Sequence, residues 1–203
     1  MNIKFDGSLK SMWYRSEKER DKRFDCIINR ILKDGNRGTI LDIGCGAGKL
    51  YDYLKKHNYL KTYSYAGIET YPQCILFAKK TYPEVEFSQK DILKDKVGKY
   101  DYVFCIDVMK NCFSKDILNE VIKKMFSISK KIVVFNVYND MVDYKDKRNT
   151  YINIKKMLDF CLSLTPRVAL KNDYRKYETA FYLYKDLRTS GFYYYKSNDR
   201  ANL

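Results

Sequence analysis

Apolar residues recur along the chain with helical spacing in some stretches and as short continuous runs in others. Between 24 and 32 they follow a helical repeat that predicts a helix ending near Lys33, where the glycines of KDGNRG interrupt the pattern. The run TILDI at 39–43 is short, apolar and β-branched, which is typical of a buried strand. A second helical pattern then extends to about His57. The first part of the chain is therefore predicted to be helix, strand, helix.

The alternation continues through the middle of the chain and changes near its end. Strands are predicted at YSYAGIE, EVEF, YDYVFCID and KIVVFNVY, and helical patterns separate the first from the second and the third from the fourth. A further helix ends before Pro166, and two strands, RVALK and TAFYLYKD, follow without a helix between them. We therefore expect an α/β fold whose mostly parallel sheet is flanked by helices and finishes as an antiparallel hairpin.

The length of the chain fits one domain of this kind. With 203 residues, of which 45% are hydrophobic, the chain can bury one full core but hardly two. We expect a single domain over 1–186, which includes an N-terminal helical segment over about 1–36, and a loosely held tail over 187–203. No apolar run approaches the roughly 18 residues of a membrane span, and the N-terminus lacks a signal-like segment. A cytoplasmic protein without membrane contact is therefore expected.

The cysteines and the histidine argue against a disulfide framework and a metal centre. The six cysteines form no C-x-x-C pair, and four of them lie in apolar periodic stretches, where we expect buried, reduced thiols. His57 is the only histidine, and no zinc-ligand spacing is present. The sequence therefore predicts no metal site.

The chain is strongly basic, with a formal charge of +14. Such a charge permits a polyanionic partner, for example a nucleic acid. Most of the 39 basic residues are lysines, however, and they are scattered over nearly every segment. Scatter of this kind is typical of a solvated surface, so charge alone does not identify a partner.

Three glycines alternate directly after the first predicted strand, in LDIGCGAGKL. In an open parallel sheet this loop lies where ligands bind, and Gly44, Gly46 and Gly48 permit positive φ and close approach to the backbone. One glycine would suffice for a turn, so three indicate a binding loop. The spacing differs from the G-x-G-x-x-G of dinucleotide sites. Asp42 suits an ammonium group better than a pyrophosphate, which favours a nucleoside that carries an amino acid.

Acidic residues also follow the next two predicted strands. Glu69 ends the second strand, where a carboxylate is placed to accept hydrogen bonds from a ribose diol. After the third strand, Asp91 can accept from an exocyclic amine, and Ile92 can cover a purine face. Each acid alone is more often a solvated surface group. Together they describe a pocket for ammonium, ribose and adenine.

These residues resemble the successive motifs of class I S-adenosylmethionine-dependent methyltransferases. LDIGCGAGKL, the strand end GIE, KDIL and YDYVFCID occur in the order and at the intervals of that superfamily. The segments MWYRSEKERDKRF and 133–186 are also similar to a narrower, little-characterised bacterial group of methyltransferase domains. The resemblance implies a Rossmann-like, mostly parallel seven-stranded sheet with an antiparallel last strand, helices on both faces and S-adenosylmethionine as cofactor.

The resemblance also implies roles for single residues. The ribose would be held by Glu69, and the adenine by Asp91 with Ile92. Trp13 would fold over the cofactor as a lid; the alternative is that it only packs the N-terminal segment onto the core. The methionine part would be held by the strand-end acid and the glycine loop, namely Asp42, Gly44, Cys45, Gly46 and Gly48.

The acceptor side is less closely specified. Asp107, after the fourth strand, is expected to face the methionine part or the methyl acceptor, and Tyr138 and Tyr144 are further candidates for proton transfer. The fourth strand reads CIDVMKN, without the Pro-Pro-aromatic motif of amino-methylating DNA enzymes, and no Pro-Cys pair is present. We therefore expect a small-molecule or saccharide-like acceptor. An RNA or other nucleic acid is the alternative acceptor, and a non-catalytic S-adenosylmethionine-binding regulator is a third possibility.

Overall fold

The computed structural model describes residues 16–32, 37–109 and 114–185, and these ranges contain five α-helices, one short 3₁₀-helix (Tyr59–Lys61) and eight strands. Trp13 and the tail over 187–203 lie outside the described residues. The helices are α1 (Glu17–Leu32), α2 (Lys49–Lys56), α3 (Pro72–Thr81), α4 (Lys115–Ile128) and α5 (Ile154–Leu164). The strands are β1 (Gly38–Ile43), β2 (Tyr63–Glu69), β3 (Glu86–Gln89), β4 (Tyr100–Cys105), β5 (Ser129–Asn139), β6 (Tyr151–Ile152), β7 (Val168–Lys171) and β8 (Glu178–Tyr184).

All strands belong to one mixed sheet, in the order β3-β2-β1-β4-β5-β8-β7. The five strands from β3 to β5 are parallel, and β8 runs antiparallel to both of its neighbours, β5 and β7. The predicted α/β class, the mostly parallel sheet and the antiparallel last strand are thereby confirmed. The winding reverses between β1 and β4, which is where open sheets of this kind bind ligands.

Two details of the sheet differ from the sequence prediction. The third strand was expected at 84–87, whereas β3 covers Glu86–Gln89. The eighth strand, β6, was not predicted, because two residues are too few to show a period. It pairs with Tyr138 and Asn139 of β5. The earlier part of β5 pairs with β4 on this same side. This short strand therefore lies beyond the carboxyl end of β4.

Helices cover both faces of the sheet, as adjacent residues of β1 show. Ile40 packs in a cluster that contains Phe24 of α1 and Leu54 of α2. Leu41 points to the other face and packs with Val121 of α4, among other buried residues. Because successive strand residues alternate between faces, both sides of the central strands must be apolar. The continuous apolar runs in the sequence follow from this arrangement.

The topology brings several chain segments to one edge of the sheet. The carboxyl ends of the parallel strands β1, β2, β4 and β5 lie there, together with the amino end of the antiparallel β8. The loops after β1, β2 and β4 therefore approach one another although they are far apart in sequence. We call this side the carboxyl edge, and the opposite side the amino edge.

Cys74, Cys105 and Cys161, which lie in apolar stretches, are buried, and so is Cys45 of the glycine loop, whereas Cys26 is only partly buried. Cys112 lies outside the described residues. Within 16–32, 37–109 and 114–185, no helix is long and apolar enough to cross a membrane. In the same ranges, no three side chains of His, Cys, Asp or Glu come together as metal ligands would.

Candidate active site

The glycine loop joins β1 to α2 at the carboxyl edge. All three glycines have left-handed backbone, with φ of 71° at Gly44, 52° at Gly46 and 77° at Gly48. The backbone N–H groups of Gly44 and Cys45 both donate to the Ile68 carbonyl oxygen, at 2.8 and 3.1 Å. These bonds hold the loop against the end of β2. An L side chain strains this backbone, which explains why glycine occurs at alternate positions.

The three glycines differ in what surrounds them. A Cβ atom on Gly44 would lie 2.4 Å from a Val108 methyl carbon, and one on Gly48 would lie 3.0 Å from the Phe87 ring. A Cβ on Gly46 would meet no atom within 4 Å. Gly44 and Gly48 are therefore required by packing within the protein, whereas Gly46 faces open space. Gly46 is therefore the glycine of this loop that has room beside it for a ligand.

Asp42 is a buried carboxyl group next to this loop. Its side chain is on β1, only 4% of the residue is exposed, and the Tyr65 hydroxyl donates to Oδ2 at 2.7 Å. Burial raises the pKa of Asp42 to about 7; the Tyr65 hydrogen bond opposes the rise, and the nearby Glu69 carboxylate adds to it. A buried acid with this pKa favours a cationic partner, because a positive charge would stabilise its ionised form.

Glu69, the last residue of β2, contacts the open part of the loop directly. Its Oε2 accepts a hydrogen bond from the Gly46 N–H at 3.2 Å. Its Oε1 accepts from the N–H groups of Thr70 and Tyr71 at 2.7 and 3.0 Å. The carboxylate is thus fixed beside Gly46, and Asp42 and Glu69 flank the glycine loop from neighbouring strands.

The Cys45 thiol lies in the same loop but is not a nucleophile. It is buried, and burial raises the pKa of the thiol; the nearby carboxylates of Asp42 and Glu69 raise it further. The thiol therefore stays protonated and uncharged, and behaves as a small apolar group. A Cβ on Gly67 would lie 2.8 Å from its sulfur atom, so Cys45 packs tightly against β2.

Asp91 and Ile92 follow β3 in a tight turn. The Asp91 carboxylate accepts from the Leu93 N–H at 2.9 Å, and Lys94 Nζ lies 3.5 Å from its other oxygen. Ile92 is buried within the apolar cluster on the face covered by α4 and α5. The structure thus places the Asp91 carboxylate at the surface of this turn and the Ile92 side chain in the core.

Asp107 follows β4 and adopts left-handed backbone, with φ of 69°. Asn136 of β5 fixes it twice: its amide oxygen accepts from the Asp107 N–H at 2.7 Å, and its amide nitrogen donates to Asp107 Oδ1 at 3.3 Å. The Arg23 guanidinium of α1 binds Oδ2. Because Val108 packs on Gly44, Asp107 stands beside the first glycine of the loop.

Glu178 extends this arrangement into a buried network. It is the first residue of β8 and has no exposed surface. Arg23 donates to it from Nε at 3.0 Å, the Tyr174 hydroxyl donates at 3.1 Å, and Asn136 also donates to it. Arg175 lies 3.5 Å from its second oxygen. Arg23 is therefore bound to two carboxylates that come from β4 and β8.

The other acceptor-side candidates lie farther out. Tyr138 is on β5, two residues beyond Asn136 and on the same face, and its ring stacks on Tyr151 with centroids 5.9 Å apart. Tyr144 is in the loop between β5 and β6 and is 80% exposed. The structure brings Asp107 and Asn136 together but leaves Tyr144 in solvent.

Sequence reasoning missed Arg23, Tyr174 and Glu178. Arg23 was part of a helix with an apolar face, and Glu178 stood at the start of a strand. The signal was weak: Arg23 interrupts the apolar face of α1 next to Phe24, which is unusual for a charged residue unless it is paired. Its partners are 84 and 155 residues away along the chain, so only the fold reveals them.

A groove of about 420 Å³ opens between α4 and α5. Its walls come from β6, from Asp140 after β5 and from the first turns of both helices, so the groove lies at the carboxyl edge. Its volume is within the range of small-molecule sites. The lining residues are Leu118, Asn119, Asp140, Tyr151, Ile152, Asn153, Lys156 and Met157.

The sequence matches a known protein family over most of its length. The family model described as a methyltransferase domain matches residues 16–196. A protein of Invertebrate iridescent virus 6 that carries a methyltransferase name, 235L, is 31% identical over 109 residues. That match covers 50% of this chain but only 40% of the viral protein, so the chain spans less than half of this relative.

Solved structures share the fold at low sequence identity. Magnesium protoporphyrin IX methyltransferase from Synechocystis PCC 6803, with bound S-adenosylhomocysteine, superposes with a TM-score of 0.66 at 12% identity. The superposition covers 91% of this chain and 90% of that one. A TehB-like S-adenosylmethionine-dependent methyltransferase from Corynebacterium glutamicum gives a TM-score of 0.60 at 17% identity, covering 88% and 92% of the two chains.

Proposed function

This chain belongs to the methyltransferase domain family and shares its fold with solved methyltransferases, and on that premise we propose that it uses S-adenosylmethionine as cofactor and methylates a small-molecule or saccharide-like acceptor. One observation carries the cofactor site. Gly46 faces open space between Asp42 and Glu69, so the loop has room for a ligand where two carboxylates flank it. The residues present therefore fit an amino-acid-bearing nucleoside.

In this proposal the buried acid and the glycine loop hold the methionine part. Asp42 pairs with the ammonium group, and the left-handed loop lets the backbone approach the ligand closely. Glu69 exchanges its bond from Gly46 for hydrogen bonds from the ribose hydroxyls. Asp91 accepts a hydrogen bond from the adenine amine, Ile92 borders the adenine with the small exposed part of its largely buried side chain, and Trp13 closes over the ligand. The loop residues assigned to the methionine part are Gly44, Cys45, Gly46 and Gly48.

The bound cofactor supplies an electrophilic methyl group, and the protein aligns an acceptor with it. Asp107 is the acceptor-side residue that the geometry favours, because it stands beside Gly44. Arg23 and Asn136 hold its carboxylate in one orientation. Tyr138 and Tyr144 are the further candidates for taking the acceptor proton, Tyr138 from β5 and Tyr144 from the exposed loop.

The size of the groove between α4 and α5 favours a small acceptor over a nucleic acid. The groove lies beyond the end of β4, on the same edge as Asp107, and combines apolar and polar lining residues. A volume of about 420 Å³ has room for a metabolite. We assign this groove to the acceptor.

Calorimetry with S-adenosylhomocysteine tests the cofactor site without knowledge of the acceptor. Asp42→Ala and Glu69→Ala are expected to weaken binding at least tenfold each, because each removes a hydrogen-bonding or charged partner of the ligand. Asp159→Ala removes an exposed acid from α5 and serves as the matched control. Affinity like that of the wild type in both site variants would refute the assignment.

Transfer of labelled methyl groups from S-adenosylmethionine tests the acceptor class. We expect incorporation with a pool of small metabolites and sugar nucleotides, and none with total RNA. Incorporation into RNA that falls steeply with salt would support the nucleic-acid alternative instead. Tight binding of the cofactor without transfer to any pool would support the non-catalytic alternative.

A further inference from the structure

The amino edge of the sheet carries a row of basic residues on adjacent strands. Five strands adjacent in the sheet, β1, β4, β5, β8 and β7, each have a basic residue at this edge. Three of them directly precede β1, β4 and β7, two are the second and third residues of β5, and one directly follows the antiparallel β8. We call them the basic edge: Arg37, Lys99, Lys130, Lys131, Lys185 and Arg167.

Hydrogen bonds to backbone carbonyl oxygens and the strand register place these members side by side along the edge. The Lys185 N–H donates to the Lys131 carbonyl oxygen at 2.8 Å, and Lys131 Nζ donates to the Arg37 carbonyl oxygen at 3.3 Å. Where β1 pairs with β4, Ile40 is opposite Tyr102. Arg37 lies three residues before Ile40, and Lys99 three residues before Tyr102, so the two are at corresponding positions. The row is therefore built on the ends of hydrogen-bonded strands, which fixes its spacing.

Like charges repel one another along this edge. Burial lowers the pKa of Lys185, and the positive charge of Lys99 lowers it further. The nearby Asp101 carboxylate relieves part of this repulsion, since Lys131 Nζ lies 3.6 Å from it. That carboxylate is also engaged by the N–H and hydroxyl of Thr39, at 2.9 and 3.1 Å. An anion in solution would relieve the remaining repulsion.

We propose that the basic edge is a docking surface for the phosphodiester backbone of a nucleic acid. With strands about 4.8 Å apart, the row from β1 to β7 spans roughly 19 Å. Phosphates follow one another at about 3.4 Å along a strand whose bases are stacked as in a duplex, so the row faces about five of them. A line of fixed cations at this scale matches a linear polyanion better than a single small anion.

The location separates this surface from methyl transfer. The basic edge is at the amino edge, whereas the glycine loop and Asp107 are at the carboxyl edge. The nucleic acid is accordingly a partner of the protein, and the segment held here is not presented to the cofactor. The inference does not depend on which acceptor is methylated.

Two triple variants with the same net charge test the surface. The edge variant carries Lys99→Gln, Lys130→Gln and Lys131→Gln, and glutamine keeps much of each side-chain stem. The control variant carries the same change at three lysines on α3 and α5, which are also exposed: Lys79, Lys80 and Lys155. Each variant loses three of the +14 formal charges, so a difference between them reports position rather than total charge.

Binding of a labelled single-stranded RNA of about 20 nucleotides is measured by fluorescence anisotropy over a range of salt concentrations. The wild type is expected to bind with a steep salt dependence. The edge variant is expected to lose at least tenfold in affinity, and its salt slope to fall by about 2, since each lost phosphate contact contributes about 0.7. The control variant is expected to stay close to the wild type.

Binding to phosphatidylserine vesicles is measured for the same variants. Three results overturn the proposal: the wild type shows no saturable RNA binding, both variants are weakened equally, or the edge variant loses vesicle binding while it keeps RNA binding. Affinity for S-adenosylhomocysteine should be unchanged in the edge variant, which verifies folding. If the triple variant fails to fold, Lys130→Glu against Lys79→Glu repeats the comparison with one exposed residue each. Equal RNA affinity in this pair also overturns the proposal.

Discussion

Single residues at the carboxyl edge have different tasks although they share one motif. Gly44 and Gly48 are bounded by side chains of the protein, and Gly46 is bounded by open space and by Glu69. A motif read only as three glycines does not make this distinction. The atoms around each glycine Cα distinguish the three positions. We therefore expect a different effect of substitution at each of them.

Replacing Gly46 by Ala should weaken cofactor binding with little loss of fold. The new Cβ meets no protein atom, so the cost to the fold is the left-handed backbone, about 1–2 kcal/mol. The methyl group fills the open space beside this position, and affinity for S-adenosylhomocysteine is expected to fall at least tenfold in calorimetry. Gly44→Ala is the matched comparison and should lower the melting temperature more, because its Cβ collides with Val108. Unchanged affinity in Gly46→Ala would place the ligand elsewhere.

The buried carboxyl of Asp42 should make cofactor binding dependent on pH. Its pKa of about 7 means that it is largely protonated in the free protein below pH 7. An ammonium group binds the ionised form, so affinity rises as pH increases towards 7, by up to about tenfold per unit. The ligand amine itself loses its proton near pH 8, so the window is pH 5.5–7.

Calorimetry of S-adenosylhomocysteine binding in two buffers of different ionisation enthalpy checks this dependence. The wild type should release protons on binding below pH 7, and Asp42→Asn should bind weakly with no proton release. A wild-type affinity that does not change over this window would exclude Asp42 as the ammonium partner. The raised pKa also has a consequence for the fold: the folded protein without ligand loses stability as pH rises from about 4 to about 7, where Asp42 ionises.

These residues show what local sequence can reveal. Asp42, Gly46 and Glu69 are each within a few residues of a strand end, and parallel strands bring their ends together whatever the loops contain. The position of these residues at one edge is therefore predictable from strand order alone. Whether Gly46 is the open glycine is not predictable, because it depends on Val108, Phe87 and Tyr82, which approach from other loops.

At the scale of elements, α1 is joined to the sheet by a charged contact as well as by its apolar face. Arg23 is 4% exposed and binds Asp107 after β4 and Glu178 at the start of β8. The contact spans three adjacent strands, because Asn136 of β5 lies between the two carboxylates. Docking of α1 and the orientation of Asp107 are therefore linked.

Removing the Arg23 charge should destabilise the fold strongly. Arg23→Met leaves two carboxylates without this guanidinium, and breaking such a buried pair costs about 3–5 kcal/mol in free energy of unfolding. Lys22→Met is the matched control, since it removes an exposed cation from the adjacent position of α1; it should change stability by less than about 0.5 kcal/mol. Denaturant unfolding of both variants gives the comparison. Equal stabilities would mean that the network does not anchor α1.

The elements also show where prediction from sequence stops. The long periodic helices and the strongly β-forming β5 were predicted in their correct places, with β5 expected at 131–138 and found at Ser129–Asn139, since many side chains contribute to each period. β6 has only two residues and forms because β5 continues past the end of β4 and presents a free edge there. The pairing of Arg23 with Glu178 has the same origin: it exists only because β8 inserts antiparallel beside β5.

At the scale of the whole molecule, the sheet has two chemically different edges. Acids that flank the glycine loop follow the strands at the carboxyl edge, and lysines and arginines stand at the amino edge. Along the sequence these lysines are scattered, and composition alone gave no reason to group them. The strand order groups them, because residues that precede different parallel strands become neighbours. Total charge was readable from the sequence, but its placement was not.

Binding of S-adenosylhomocysteine should therefore slow amide hydrogen exchange at one edge only. We expect protection in peptides that contain 44–48, 69–71 and 91–93, where the ligand orders the loops after β1, β2 and β3, and none in peptides around Lys99 and Lys130. At a ligand concentration of 100 times Kd the protein should also gain about 2.7 kcal/mol in unfolding free energy. Asp42→Ala at the same ligand concentration is the control and should show neither effect. Protection confined to the groove between α4 and α5 would instead mean that the nucleoside occupies the space assigned to the acceptor, and the cofactor site would have to be relocated there.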